Sequence, residues 1–129
     1  MSAPEDAEGR TPLVAGNWKM NKLRADAIAF CDALAAGLDE VDEVDLGICP
    51  PLTCLPEVAD RLVPLGVSVY AQTAHQAGSG AFTGEVSMAM LVDIGATGVL
   101  LGHSERRQYY AESDDALAEK VPAALAAGL

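Results

Sequence analysis

Positive charge is scarce in this chain. Lysine and arginine together number 8 in 129 residues, against 19 aspartates and glutamates, giving a formal net charge of −11. A protein surface for nucleic acid needs a basic stripe to neutralise phosphates, so this balance argues against such a partner. A small anionic substrate stays open, because a site needs only local positive potential. Long apolar runs are also missing, and none reaches the length that crosses a bilayer. Met1 to Thr11 has no apolar centre of the kind a secretory leader requires; its Pro, Asp, Glu and Gly content reads as a loose tail. Cysteine is sparse and odd in number. Cys31, Cys49 and Cys54 lack paired zinc-like spacing and read as reduced, mostly buried thiols of a cytoplasmic protein.

Several chemical signatures are absent too. There is no Walker-type loop and no Gly-x-Ser-x-Gly elbow. Gly78-Ser79-Gly80 does not directly follow a strand, which makes it a poor dinucleotide fingerprint. His75 with Cys49 and Cys54 fits no metal-ligand spacing and reads as a flexible-loop histidine beside two core thiols. No cofactor and no metal are expected.

What is present is an ordinary globular composition, 50% hydrophobic and 21% charged, at a length that suits one domain with a sizeable core. Leu13 onward begins as a short buried strand that turns polar by Asn17. Leu23, Ala27, Phe30 or Cys31, Leu34 and Leu38 then recur at helical spacing. The acidic turn Asp39 to Asp45 reads as solvated surface. Val44 to Cys49 is a second strand, stopped by Pro50 and Pro51, and Thr53 is placed to cap a helix carrying Leu55, Val58, Leu62 and Val63. Val67 to Gln72 is a third strand. A long excursion, Thr73 to Glu85, follows, and loops of that length are usually functional or form interfaces. Val86 to Ile94 reads as helix, stopped by Gly95. Gly98 to Leu101 is a fourth buried strand. Ser113 caps a last helix whose buried face is marked by Leu117, Val121 and Leu125, with Pro122 expected to kink it. Strand and helix therefore alternate four times, the pattern of a parallel sheet. Periodicity does not choose between an open sheet and a closed barrel.

If the strands are parallel, their polar C-terminal ends share one face. Asn17 and Lys19 then meet Gln72, His103 and Glu105. A lysine supplies charge, an amide supplies orientation, and the histidine sits at the mouth of a buried strand. Residues Ser104 to Tyr110 can start a helical turn whose free N–H groups disfavour an imidazolium, so His103 is expected to be a neutral donor. Such a set suits an enediolate held beside an anion. Taken one at a time, a surface lysine, a turn asparagine and a satisfied core histidine remain open readings.

Three separated segments carry a resemblance. Ala15-Gly16-Asn17-Trp18-Lys19-Met20-Asn21, Gly80-Ala81-Phe82-Thr83-Gly84-Glu85-Val86-Ser87 and Gly102-His103-Ser104-Glu105-Arg106-Arg107 are similar, in order and spacing, to signatures of the triosephosphate isomerase family. The likeness runs from about Pro12 through Leu129. It implies a (β/α)8 barrel, represented here by its first four β/α units, and residues 1–11 as a tail. It also implies interconversion of dihydroxyacetone phosphate and glyceraldehyde 3-phosphate, in glycolysis and gluconeogenesis, without a cofactor. By position, His103 would be the electrophile, and a neutral histidine is that family's established case. Lys19 would be catalytic and, with Asn17, would contact substrate. Glu105 and Ser104 would sit behind them, and Thr83 and Glu85 would serve a homodimer contact. The family's base, lid and phosphate-gripping segments fall in the half not represented, so Glu85, Glu105 and Glu112 are expected to be structural. Ala111 departs from the family's usual glycine at that position.

Overall fold

A computed structural model describes residues 9–129. Residues 1–8 of the expected tail lie outside the described residues. The elements are β1 (Leu13–Asn17), α1 (Arg24–Gly37), β2 (Asp45–Cys49), α2 (Leu55–Leu62), β3 (Ser68–Ala71), α3 (Met88–Asp93), β4 (Gly98–Val99), α4 (Ser104–Tyr109) and α5 (Asp114–Ala126). Every strand pairing is parallel, and the sheet order is β1-β2-β3-β4. That order decides what periodicity left open. A doubly wound sheet reverses its strand order at a switch point, whereas here each strand lies beside its sequence neighbour, as in a barrel wall. The chain forms an incomplete barrel of the TIM class.

The core lies between the sheet and its helices. Ala27 and Cys31 of α1, Leu55, Val58 and Leu62 of α2, and Val69 of β3 are buried together. On the opposite face, Tyr70 spreads across two glycines. A Cβ added at Gly47 or Gly98 would come within 2.5 or 2.4 Å of its ring, so glycine on both neighbouring strands leaves the room it fills.

Several local expectations are corrected. β1 is exposed along its whole length, with Leu13 and Val14 at 53% and 56%, because it is an edge strand paired on one side only. β4 has two residues; Leu100 still donates to the Ala71 carbonyl at 2.8 Å, but it and Leu101 lie beyond the strand and are only half-buried. Thr53 does not cap α2. Cys54 holds that place without a side-chain cap, and Pro56 in the first turn removes one of the N–H groups a cap would serve. α3 starts at Met88 rather than Val86, since Ser87 Oγ accepts the Met90 N–H at 3.1 Å. Ser113 caps α5 as expected, accepting from Ala116 N–H. The face of α5 is turned, however: Val121 and Leu125 are exposed, while Lys120 and Ala124 are buried. The Lys120 ammonium reaches Glu112 at 2.7 Å, and that pairing sets the helix rotation. His75 is no flexible-loop residue; it bridges to Ser87, packs on Phe82 at 4.1 Å and accepts the Ala77 N–H. All three cysteines are free and buried, as read from the sequence.

Candidate active site

The C-terminal ends of the strands open into a cleft of about 390 Å³. Asn17, Lys19, Gln72, Glu85, His103 and Glu105 all line it. Five of these come from strand ends or the loops directly after them, where a parallel barrel wall gathers polar groups.

The first corner is built locally. β1 ends at Asn17, whose Oδ1 accepts the Lys19 N–H at 3.0 Å. This asparagine turn sets Lys19 in a left-handed backbone conformation, φ 56°. The lysine Nζ crosses the cleft to Glu105 Oε1 at 2.5 Å. That contact, with the charge behind it, holds the Glu105 carboxyl below its ordinary range. A carboxylate so held is a weak base.

The second corner is His103, the N-terminal cap of α4. Its Nδ1 accepts the Glu105 backbone N–H at 3.1 Å. A nitrogen that accepts has no proton of its own, so the neutral ring carries its hydrogen on Nε2. Glu105 therefore serves both corners, its side chain on Lys19 and its backbone on His103. Ser104 opens α4 and is exposed.

Beneath the histidine lies a buried ionic cluster. Glu112, with its side chain 1% exposed, accepts from Gly102 N–H at 2.6 Å, Lys120 Nζ at 2.7 Å and Arg106 Nε at 3.3 Å. Burial by itself would push this carboxyl up. The Lys120 ammonium, the Gly102 amide and Arg106 outweigh it and hold the group below the ordinary carboxylate range. Gly102, at φ 75°, directly precedes His103, so the cluster fixes the backbone that carries the ring.

Thr83 is exposed in the loop between β3 and α3 and does not line the cleft, whereas Glu85 from the same loop does. Arg106 and Tyr110 are cleft residues that the sequence reading left unassigned. They pack together, guanidinium over ring at 5.1 Å. Their spacing of three and seven residues after His103 places them on its helical face, a signal that was available. Among the described residues, no group of His, Cys, Asp and Glu is arranged to hold a metal ion. No helix among them is long and apolar enough to cross a membrane.

The comparisons with known proteins agree with this geometry. The family model for triosephosphate isomerase matches residues 12–129. Triosephosphate isomerase of Endomicrobium trichonymphae is 45% identical over 120 residues, covering 93% of this chain and 48% of that protein. The Chloroflexus aurantiacus enzyme is 48% identical over the same length and coverage. The crystal structure of triosephosphate isomerase from Bartonella henselae superposes with a TM-score of 0.85 at 39% identity, covering 93% of this chain and 49% of that one. The chain thus spans about half the length of the curated relatives it matches. With the motif-bearing strand ends, the parallel wall and these relatives in agreement, the chain belongs to the triosephosphate isomerase family.

Proposed function

We propose that this cleft supplies the electrophilic side of triose phosphate isomerisation, in a cytoplasmic enzyme that assembles as a homodimer. One observation carries the reading: Lys19, Asn17 and His103 converge on one cleft, with Nδ1 of His103 occupied as an acceptor. An Nε2–H donor and an ammonium together stabilise the oxyanion that develops when a proton leaves the carbon beside a carbonyl. Asn17 orients the lysine and the substrate. The loop carrying Thr83 and Glu85 makes the contact between subunits.

Abstraction also needs a base within reach of that proton. Glu105 is committed to Lys19 and Glu112 to its three donors, while Glu85 is assigned to the dimer loop. On this reading the 129-residue polypeptide alone falls short of enzymatic turnover, because losing a general base costs roughly 10²–10⁴-fold and lost positioning adds to it. The test mixes the purified chain with a separately made C-terminal half of a related isomerase. Activity is expected in the mixture only, and Lys19→Met or His103→Gln should remove most of it. Robust turnover by the purified chain, free of host isomerase, would overturn the assignment of the carboxylates. A second reading, a non-catalytic half-barrel that acts as an assembly partner, draws support from the exposed β1 edge with Leu13 and Val14. It predicts a stable but inactive mixture.

A further inference from the structure

We propose that Tyr70 selects which second half can close the barrel on this wall. It admits a half whose inward side chain opposite β3 is small and excludes one with a large side chain there. This deepens the proposed function, since it rests on pairing with a complementary C-terminal half.

Successive residues of a strand face opposite sides of the sheet. Val69 and Ala71 of β3 are buried in the core beneath the helices. Tyr70 between them projects from the other face, which in a closed barrel is the interior. Its neighbours on that face are small. Register sets Ala15, Gly47 and Ser68 side by side there, and Gly98 is the direct partner of Tyr70. The ring straddles the two glycines, and a Cβ added at either would run into it. Two strands thus give up their side chains to seat one ring on the strand between them. The ring remains half-buried, with its edges seated and the rest facing the space where a second wall stands.

The wall itself identifies the occupant of that space. Four consecutive parallel strands are half of an eight-stranded barrel, and the chain covers 48% of the two relatives compared above. The space before Tyr70 belongs to the remaining four strands, on the same polypeptide or on another. Each interior layer of such a barrel takes four side chains from alternate strands, so this one draws on the first, third, fifth and seventh. The seventh stands across from the third. Interiors pack as densely as organic crystals, so a second large side chain in this layer forces strain.

Titration followed by sedimentation measures pairing of the 129-residue chain with two versions of a related isomerase's C-terminal half. One carries alanine and the other phenylalanine at the inward position of the barrel's seventh strand that faces Tyr70. Wild type is expected to bind the alanine version more tightly by about 5–150-fold, the range that overpacking costs. Tyr70→Ala should narrow that ratio by about fivefold or more, because the vacated layer accepts the phenylalanine. A tyrosine that only stabilises its own sheet would weaken both pairings alike, and an unchanged ratio overturns the proposal. Should Tyr70→Ala fail to fold, nuclear Overhauser contacts in the wild-type mixture decide the matter. Contacts from the Tyr70 ring to the alanine methyl on the seventh strand are expected, and their absence refutes the proposal. A chain that pairs with neither version overturns both readings. Selective pairing without turnover counts against the proposed function alone, and turnover with an unchanged ratio counts against Tyr70 alone.

Discussion

Replacing Glu112 by glutamine should be among the costliest single changes in the chain. The carboxylate has its side chain 1% exposed, and the Lys120 side chain opposite it 6% exposed, so both charges depend on each other rather than on water. Glutamine keeps an acceptor for the Gly102 N–H but leaves the lysine buried beside a neutral group. Breaking a buried pair from one side costs about 3–5 kcal/mol. Lys120→Met should cost less, about 1–3 kcal/mol, because Glu112 keeps both the Gly102 amide and Arg106. The double variant Glu112→Gln with Lys120→Met removes both charges and keeps an acceptor for the Gly102 N–H, about 1–3 kcal/mol in all. Urea unfolding of the four proteins, with midpoints and slopes compared, measures these differences. Acid adds a signed check. The Glu112 carboxyl is held below its unfolded value of about 4.3, so its contribution is complete above that pH and is lost as pH falls through the folded value. Stability of the wild type should therefore drop more steeply below about pH 4 than that of Glu112→Gln. Costs that simply add in the double variant, or a loss under about 1 kcal/mol for Glu112→Gln, would refute the cluster as the anchor of the His103 backbone.

Other changes follow from single observations. Ala111 stands at φ 54°, so Ala111→Gly should raise stability by about 0.5–1 kcal/mol, the left-handed strain relieved minus the chain entropy of glycine; a lower urea midpoint would contradict this. Ser113→Ala should cost about 1 kcal/mol, since Oγ serves the Ala116 N–H at the start of α5, and a control at exposed Glu119 should cost almost nothing. In nitrogen NMR at alkaline pH, the neutral His103 ring should report its proton on Nε2, and a proton on Nδ1 would contradict the hydrogen bond from Glu105 N–H.

The sequence was most readable where a local rule governs. Strand–helix alternation, the Ser113 cap and the Gly95 stop depend on near neighbours, and each stands in the structure. The convergence of Asn17, Lys19, Gln72, His103 and Glu105 was legible as well, because parallel strands put all their C-terminal ends on one side. Where long-range contacts decide, local pattern misled. The apolar spacing of Leu117, Val121 and Leu125 marked one face of α5, yet a buried ion pair with Glu112 turned Lys120 inward. The strand pattern of Leu13 and Val14 says nothing about whether a neighbour covers them, and here the edge is open.

Strain was the least visible property. Lys19 and Ala111 both occupy left-handed backbone that their own chemistry disfavours. At Lys19 the bond that holds the carbonyl spans 53 residues, from a glutamine on a different strand end. At Ala111 the hold is the next residue, Glu112, pulled inward to three donors of which one, Lys120, lies eight residues on in another element. A propensity scale would assign both positions to ordinary backbone, because the energy that overrules it is supplied from elsewhere in the fold. Lys19 lines the cleft, and Ala111 directly precedes the carboxylate that accepts the Gly102 N–H next to His103. Lys22 at φ 80° and Glu43 at φ 61° are also left-handed and lie outside the cleft lining, so strain alone does not mark a site; what distinguishes Lys19 and Ala111 is that bonds from other elements hold them.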